Sequence, residues 1–173
     1  MPLRSNKVIF VPFCILCQSA KAIGLTEHYP AVVGPLVKLL NDLKINIVQL
    51  PCPEMLGEGL VRNPYEISYY ERPDFLILCK KLAHTQADII EKFISNGFDV
   101  VGILGIERSP SCSLDHVRRD GAIVPGKGVF IGEIMKIFDK SEQGLFHISI
   151  ELSELDLTLK LIESRILKMD NEI

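Results

Sequence analysis

The sequence predicts a single α/β domain spanning residues 1–173, a three-layer Rossmann-like or flavodoxin-like fold on a mostly parallel sheet. Strand and helix signals alternate along the chain in a βαβαβαβα order. Residues 100–106 are almost continuously apolar, as a parallel strand covered on both faces requires. No internal repeat or low-complexity linker interrupts the pattern. At 173 residues and 47% hydrophobic content the chain can bury a core without staples, so nothing demands a second domain.

The elements follow in order. Residues 8–11, Val-Ile-Phe-Val, are a β-branched and aromatic run closed by Pro12. Residues 31–43 have helical spacing through Val32, Leu36, Leu39, Leu40 and Leu43. The next strand, 45–50, stops at Pro51-Cys52-Pro53, where two prolines remove backbone donors, turn the chain out of the sheet and hold the cysteine between them rigidly. Residues 74–95 place Phe75, Leu78, Leu82, Ile89, Ile90 and Phe93 on one helical face, with Asn96-Gly97 as the stop. After the central strand, residues 107–128 read as a loop, 129–138 as a helix, 146–152 as a last strand and 155–169 as a closing helix.

A net charge of −3 offers no broad attraction to nucleic acid or to an anionic membrane, so no nucleic-acid polymer is expected as a partner and small neutral or anionic ligands are favoured. The early apolar stretch is broken by Pro12 and then by Gln18, Ser19 and Lys21. It is too short for a membrane span and carries no signal-cleavage pattern, so a cytoplasmic location without membrane attachment is expected. Five cysteines is an odd number, and a domain of this size needs no disulfide framework. Reduced thiols available to a metal follow. Nothing in the sequence sets an oligomeric state.

Three of those cysteines carry the functional signal. Cys14 in V-P-F-C, Cys52 in P-C-P-E and Cys112 in S-P-S-C each close one of the first three expected strands with the same polarity. In a parallel α/β sheet such ends converge on the ligand-binding edge. Three soft thiolates brought together there suit an iron-sulfur cluster. Any one of them alone also fits as a small core residue. Cys14 and Cys17 form C-I-L-C, a ligand or redox pair on one reading and a chance proximity in an apolar segment on the simpler one. Cys79, inside the long helix, is expected to be a packing residue away from that edge.

The motifs F-C-I-L, P-C-P-E and E-R-S-P-S-C, in that order and after successive strands, resemble those of the thiouracil desulfurase family and related desulfidases, with the likeness running from Val8 to about Gly132. The resemblance implies a 4Fe-4S cluster held by Cys14, Cys52 and Cys112, with one iron lacking a protein ligand. It implies removal of sulfur from a small thiolated compound, such as a thiolated nucleobase, by non-redox hydrolysis. By the same resemblance Glu54 of C-P-E and one of Ser109 and Ser111 in S-P-S-C assist catalysis, Glu54 as general base or proton shuttle and the serine by orienting water or substrate. The alternative is a non-catalytic iron-sulfur or metal-binding protein, a sulfur carrier or redox sensor. Glu54 and both serines also fit as caps of turns or helices. Cys17, and the absence of a glycine from the first motif, depart from the family pattern.

Other residues carry weaker signals. Glu58, Arg62 and Tyr69 follow C-P-E and read as exposed charge or ordinary packing before they read as a pocket wall. His28 and His116 have no partner at metal-ligand spacing. Pro125-Gly126-Lys127-Gly128 precedes a helix and reads as a tight turn ahead of an anion-binding loop, and Arg118, Arg119 and Lys127 make that region locally basic.

Overall fold

The computed structural model describes residues 4–26, 28–138 and 147–171. In chain order its elements are β1 (Lys7–Pro12), α1 (Phe13–Leu16), α2 (Gly34–Asp42), β2 (Asn46–Leu50), α3 (Pro53–Glu58), α4 (Ile67–Tyr70), α5 (Pro73–Ser95), β3 (Asp99–Ile106), β4 (His116–Arg119), β5 (Ala122–Pro125), α6 (Val129–Phe138), β6 (His147–Ile150) and α7 (Leu155–Asn171). β2, β1, β3 and β6 lie side by side in that order, all parallel. This is the α/β architecture expected, a parallel sheet flanked by helices. The chain order of these strands reverses direction across the sheet at β1 and β3, and the crevice beyond their carboxyl ends is where such sheets bind ligands.

The period-2 geometry of a strand divides β1 between two cores. Val8 and Phe10 face one apolar cluster, packed with Phe75, Cys79, Ala83, Ala87 and Ile90 of α5 and with Phe130, Ile131 and Ile134 of α6. Ile9 and Val11 face the other, with Leu36 and Leu40 of α2 and Ile162 and Ile166 of α7. A β1 covered on both sides has no polar face, which is why residues 8–11 carry no polar side chain. Along α5 the buried positions recur every three or four residues, so one stripe meets the sheet. Pro73 in its first turn and Asp74 beside it suit a helix start, and Gly97, at φ +77°, follows its end.

β1 pairs with β3 through Val8 opposite Val100 and Ile9 opposite Gly102, leaving Val101 as an extra residue. Gly102 takes φ +150° at this bulge, a conformation that disfavours a side chain.

The sequence reading and the structure part company between the central strand and α6. Residues 107–128 contain an antiparallel hairpin, β4 with β5, closed by Asp120 (φ +50°) and Gly121 (φ +78°). Asp-Gly between short flanks is the pairing that a two-residue hairpin turn with positive φ demands, and it was the legible signal for this element. The short helices α3 and α4 lie between β2 and α5, where the sequence reading assigned no element. Pro53 leaves the sheet as anticipated but does so as the first residue of α3, a position where its missing N–H costs nothing. Phe146, expected to open the last strand, is outside the described residues. Among the described residues no helix is long and apolar enough to cross a membrane.

Candidate functional site

A cavity of about 570 Å³ opens at the carboxyl edge of the sheet, and Cys14, Cys52, Glu54, Ser109 and Cys112 all line it. They arrive from three strand ends, Cys14 after β1, Cys52 and Glu54 after β2, and Ser109 and Cys112 after β3, and each cysteine is held in a different way.

Cys14 lies in the single turn of α1, directly after β1. Its carbonyl accepts from Gln18 Nε2 at 2.5 Å, and the neighbouring Phe13 carbonyl accepts from Gln49 Nε2 at 3.1 Å, which ties this turn to the end of β2. Removal from water first, and then the nearby Cys52, push the Cys14 thiol up to about 12 against the pull of Lys21.

Cys52 is the N-cap of α3, and its Sγ accepts the Met55 N–H at 3.4 Å. Arg62 Nη2 also reaches that sulfur, at 4.0 Å. Burial raises the Cys52 thiol, while the Met55 amide and the Arg62 charge oppose the rise.

Cys112 is buried, and backbone fit holds it. Its carbonyl accepts from Ile106 N, and its N–H donates to Ser109 Oγ at 3.0 Å. A side chain on Gly105 would meet the Cys112 carbonyl oxygen at 2.6 Å, and one on Gly128 would meet the Ser111 carbonyl carbon at 2.3 Å and the Cys112 nitrogen at 2.5 Å. The first amides of α6 close the arrangement, with Val129 N donating to Pro110 O and Phe130 N and Ile131 N to Ser111 O. The Pro125-Gly126-Lys127-Gly128 segment therefore brings a helix start onto the cysteine loop, and those three amides are already engaged by protein carbonyls. The Cys112 thiol is raised well above its ordinary value by burial first and then by Cys52, Cys14 and Glu54. The three thiols, from three strand ends, share the lining of one cavity.

Glu54 stands in the first turn of α3 with its side chain 13% exposed. Its Oε2 accepts from Arg62 Nη2 and from the Tyr70 hydroxyl, each at 3.4 Å. Burial and the Glu54 charge hold the Tyr70 phenol well above its usual range, so it stays a donor. Ser109 lines the cavity and its Oγ accepts from Ser111 N and Cys112 N, which leaves its own proton free. Ser111 is fully buried behind the wall, and its Oγ has no partner among the described residues.

One residue read as exposed charge or ordinary packing in the sequence proves otherwise. Arg62 is buried against Cys52 and Glu54. Tyr70 holds Glu54, and Tyr65 lines the cavity while stacking on Tyr69 with ring centres 4.0 Å apart. Cys79 is a core residue of α5, as expected, and does not line the cavity. Of the basic group, Arg118 reaches the cavity, whereas Arg119 is paired with Glu71 and Lys127 is exposed. Tyr69 and Arg72 engage Glu58 away from the cavity. His28 lines the cavity, and His116 Nδ1 lies 2.9 Å from Glu107 Oε1. Cys17 is half-buried and is not among the lining residues.

Among the described residues no three His, Cys, Asp or Glu side chains gather closely enough to hold one metal ion. A cubane presents its irons at separate corners, so its thiolates stand farther apart than those around a single ion. The donor set, three thiols with no histidine between them, suits that larger soft group.

No family profile matches the chain. An uncharacterised protein of Methanocaldococcus jannaschii is 25% identical over 138 residues, covering 80% of this chain and 81% of the relative. A solved structure described as a 4Fe-4S-dependent thiouracil desulfidase is similar with a TM-score of 0.49 at 20% identity, covering 90% of this chain and 99% of that one.

Proposed function

We propose that the protein is a desulfidase that binds a 4Fe-4S cluster through Cys14, Cys52 and Cys112 and replaces the sulfur of a small thiolated compound, such as a thiolated nucleobase, with oxygen from water. The observation that carries the reading is the meeting of these three cysteines with Glu54 and Ser109 on one cavity at the carboxyl edge of the sheet. The likeness of the motifs around them to those of the thiouracil desulfurases supports the substrate class.

Cys14, Cys52 and Cys112 would hold the cubane, which with three protein thiolates would supply Lewis-acid chemistry toward a carbon–sulfur bond. The protein's own residues supply the remainder. Glu54, its Oε2 fixed by Arg62 and Tyr70, accepts a proton from water as the water oxygen bonds to the thiocarbonyl carbon. As the carbon–sulfur bond breaks, the same carboxyl returns that proton to the departing sulfur, and the second water proton leaves the new carbonyl oxygen for the hydrosulfide, so C=S and H₂O become C=O and H₂S with no electron gained or lost. Ser109, whose oxygen already accepts two amides, directs its free proton into the cavity toward water or substrate. The partner is a small molecule, without a nucleic-acid polymer or a membrane, and five free thiols suit the reducing cytoplasm.

Anaerobic reconstitution with iron and sulfide tests the proposal. About four irons per chain and the visible absorption of thiolate-bound iron are expected, both lost when Cys14, Cys52 or Cys112 is changed to Ser. Release of sulfide from 2-thiouracil or 4-thiouracil should then follow in the loaded parent and vanish in Glu54→Gln. A carrier or sensor of clusters would be indifferent to that last change. Parent protein that binds no iron would end the reading.

A further inference from the structure

Arg62 is an arginine whose side chain is only 4% exposed, yet no ordinary structural need explains a full charge at that depth. It lies beyond α3, where Gly59, at φ +88°, lets the chain reverse direction. The guanidinium then points back beneath the helix. Nη1 donates to the Gly59 carbonyl at 3.1 Å, and Nη2 reaches the Ala20 carbonyl at 2.7 Å, Glu54 Oε2 at 3.4 Å and Cys52 Sγ at 4.0 Å. Its own carbonyl accepts from Ile23 N at 2.9 Å. Nε is buried without a partner among the described residues.

A tie between loops does not call for this. Two backbone carbonyls are satisfied by neutral donors, and a buried ion pair gives little stability over apolar side chains of similar volume. The carboxylate and the sulfur beside it account for the charge. Glu54 and three thiols crowd one cavity wall, and thiolates bound to metal would set negative charge against the negative Glu54. Lys21 acts on Cys14 from the cavity side, whereas Arg62 touches both Cys52 and Glu54 from within the protein. Its fork geometry lets one group serve sulfur, carboxylate and carbonyl together, which an ammonium on a flexible stem does not.

We propose that Arg62 is the positioning residue of the site: it holds Glu54 beside Cys52 and supplies the buried positive charge that lets the carboxylate and the metal-bound thiolate coexist. The inference rests on the cluster reading above. Its consequence is electrostatic. A cation against a ligating sulfur favours the more reduced, more negative state of a cluster, so it raises the reduction potential, although the reaction proposed here uses no redox step.

The potential is therefore the gauge, read by spectroelectrochemical titration of the reconstituted parent and of Arg62→Gln, Arg62→Met and Arg62→Lys, with iron per chain and circular dichroism measured alongside. The neutral variants should load and show a more negative potential than the parent, with Arg62→Lys between. Neutral variants that fold but take up less than about a tenth of the parental iron, while Arg62→Lys loads, support the same conclusion, since metal must displace thiol protons at a site that has lost its cation. Neutral variants that load and keep the parental potential overturn the inference, as do variants that fail to fold whether or not Arg62→Lys folds, for then Arg62 is a scaffold tie. Parent protein that binds no iron overturns the cluster reading itself, an outcome distinct from all of these.

Discussion

The two shelves that carry Cys52 and Cys112 face the same cavity but are built in opposite ways. Cys52 is surrounded by side-chain chemistry: a capping amide on its sulfur, the Arg62 guanidinium and, two residues on, a carboxylate held by arginine and tyrosine. Cys112 is surrounded by backbone, pressed between Gly105 and Gly128 and capped by the first amides of α6, with Ser109 as the side chain that props it. The first shelf is set by charge and the second by shape. Changes of charge should therefore act on the first and changes of volume on the second.

Gly128→Ala is the sharpest way to break the second shelf. Its new methyl would sit 2.3 Å from a backbone carbon, and backbone cannot swing aside as a flexible side chain does. Overpacking of this kind costs about 1–3 kcal/mol or more, taken up by displacing the Ser111-Cys112 segment. Iron uptake should fall nearly to that of Cys112→Ser while the far-ultraviolet dichroism stays parental. Retention of full iron content would show that the loop yields.

Glu54→Gln tests the first shelf by chemistry without volume. Iron per chain should be unchanged, and kcat for sulfide release should drop by ~10²–10⁴, the usual reach of a general acid–base group. A comparable loss of iron would make Glu54 a support for Cys52 and remove its catalytic role.

Both shelves share the burial of their thiols, and that predicts a pH dependence for the metal-free protein. An unfolded thiol ionises near 9.0, whereas folded Cys14 is held to about 12 and Cys112 is also well above its ordinary value. With the folded values raised, the unfolded chain releases protons first. Stability is then complete below about pH 9 and declines as pH rises toward 12. The urea midpoint of the metal-free protein should therefore fall between about pH 8 and pH 10, and Cys112→Ala should flatten the decline. A midpoint rising over that range would contradict the burial of these thiols.

Ser109→Ala should have the smallest effect on iron binding. It removes one oxygen that accepts two amides, each worth about 1 kcal/mol of stability by the usual net value of such bonds. The backbone contacts around Cys112 remain, so iron content should hold. If iron is lost as in Gly128→Ala, the serine carries more of the second shelf than its glycines do.

What was legible in the sequence follows this same division. Strands and long helices declare themselves through burial, and residues 129–138 formed a helix with the expected bounds because five of them are buried on α6. The three strand-end cysteines were legible for the related reason that sheet topology dictates where strand ends go. Arg62 was not. A buried arginine reads like a surface one until the chain reversal at Gly59 is known, because its partners lie on two other stretches of chain, Ala20 on one and Cys52 and Glu54 on the other. The hairpin of β4 and β5 was missed although Asp120-Gly121 marked it, since its strands are short, largely exposed and partly charged, and so lack the apolar run that reveals a core strand. Gly105 and Gly128 were seen as residues of a strand and a turn. Their part in seating Cys112 is a matter of contact across the fold, which composition does not record.

The cavity's lining comes from different parts of the chain. The thiols stand at the ends of β1, β2 and β3, while Tyr65 and Glu66, Arg118 of the hairpin and residues 150–153 at the end of β6 complete its rim. A lineage built on this plan can therefore rewrite the rim, lengthening the hairpin or exchanging the β6 turn, without disturbing the segments that carry the cysteines. Inheritance of the cysteines and inheritance of a particular substrate are thus separable, and relatives that keep all three thiols can diverge in diet while conserving their chemistry.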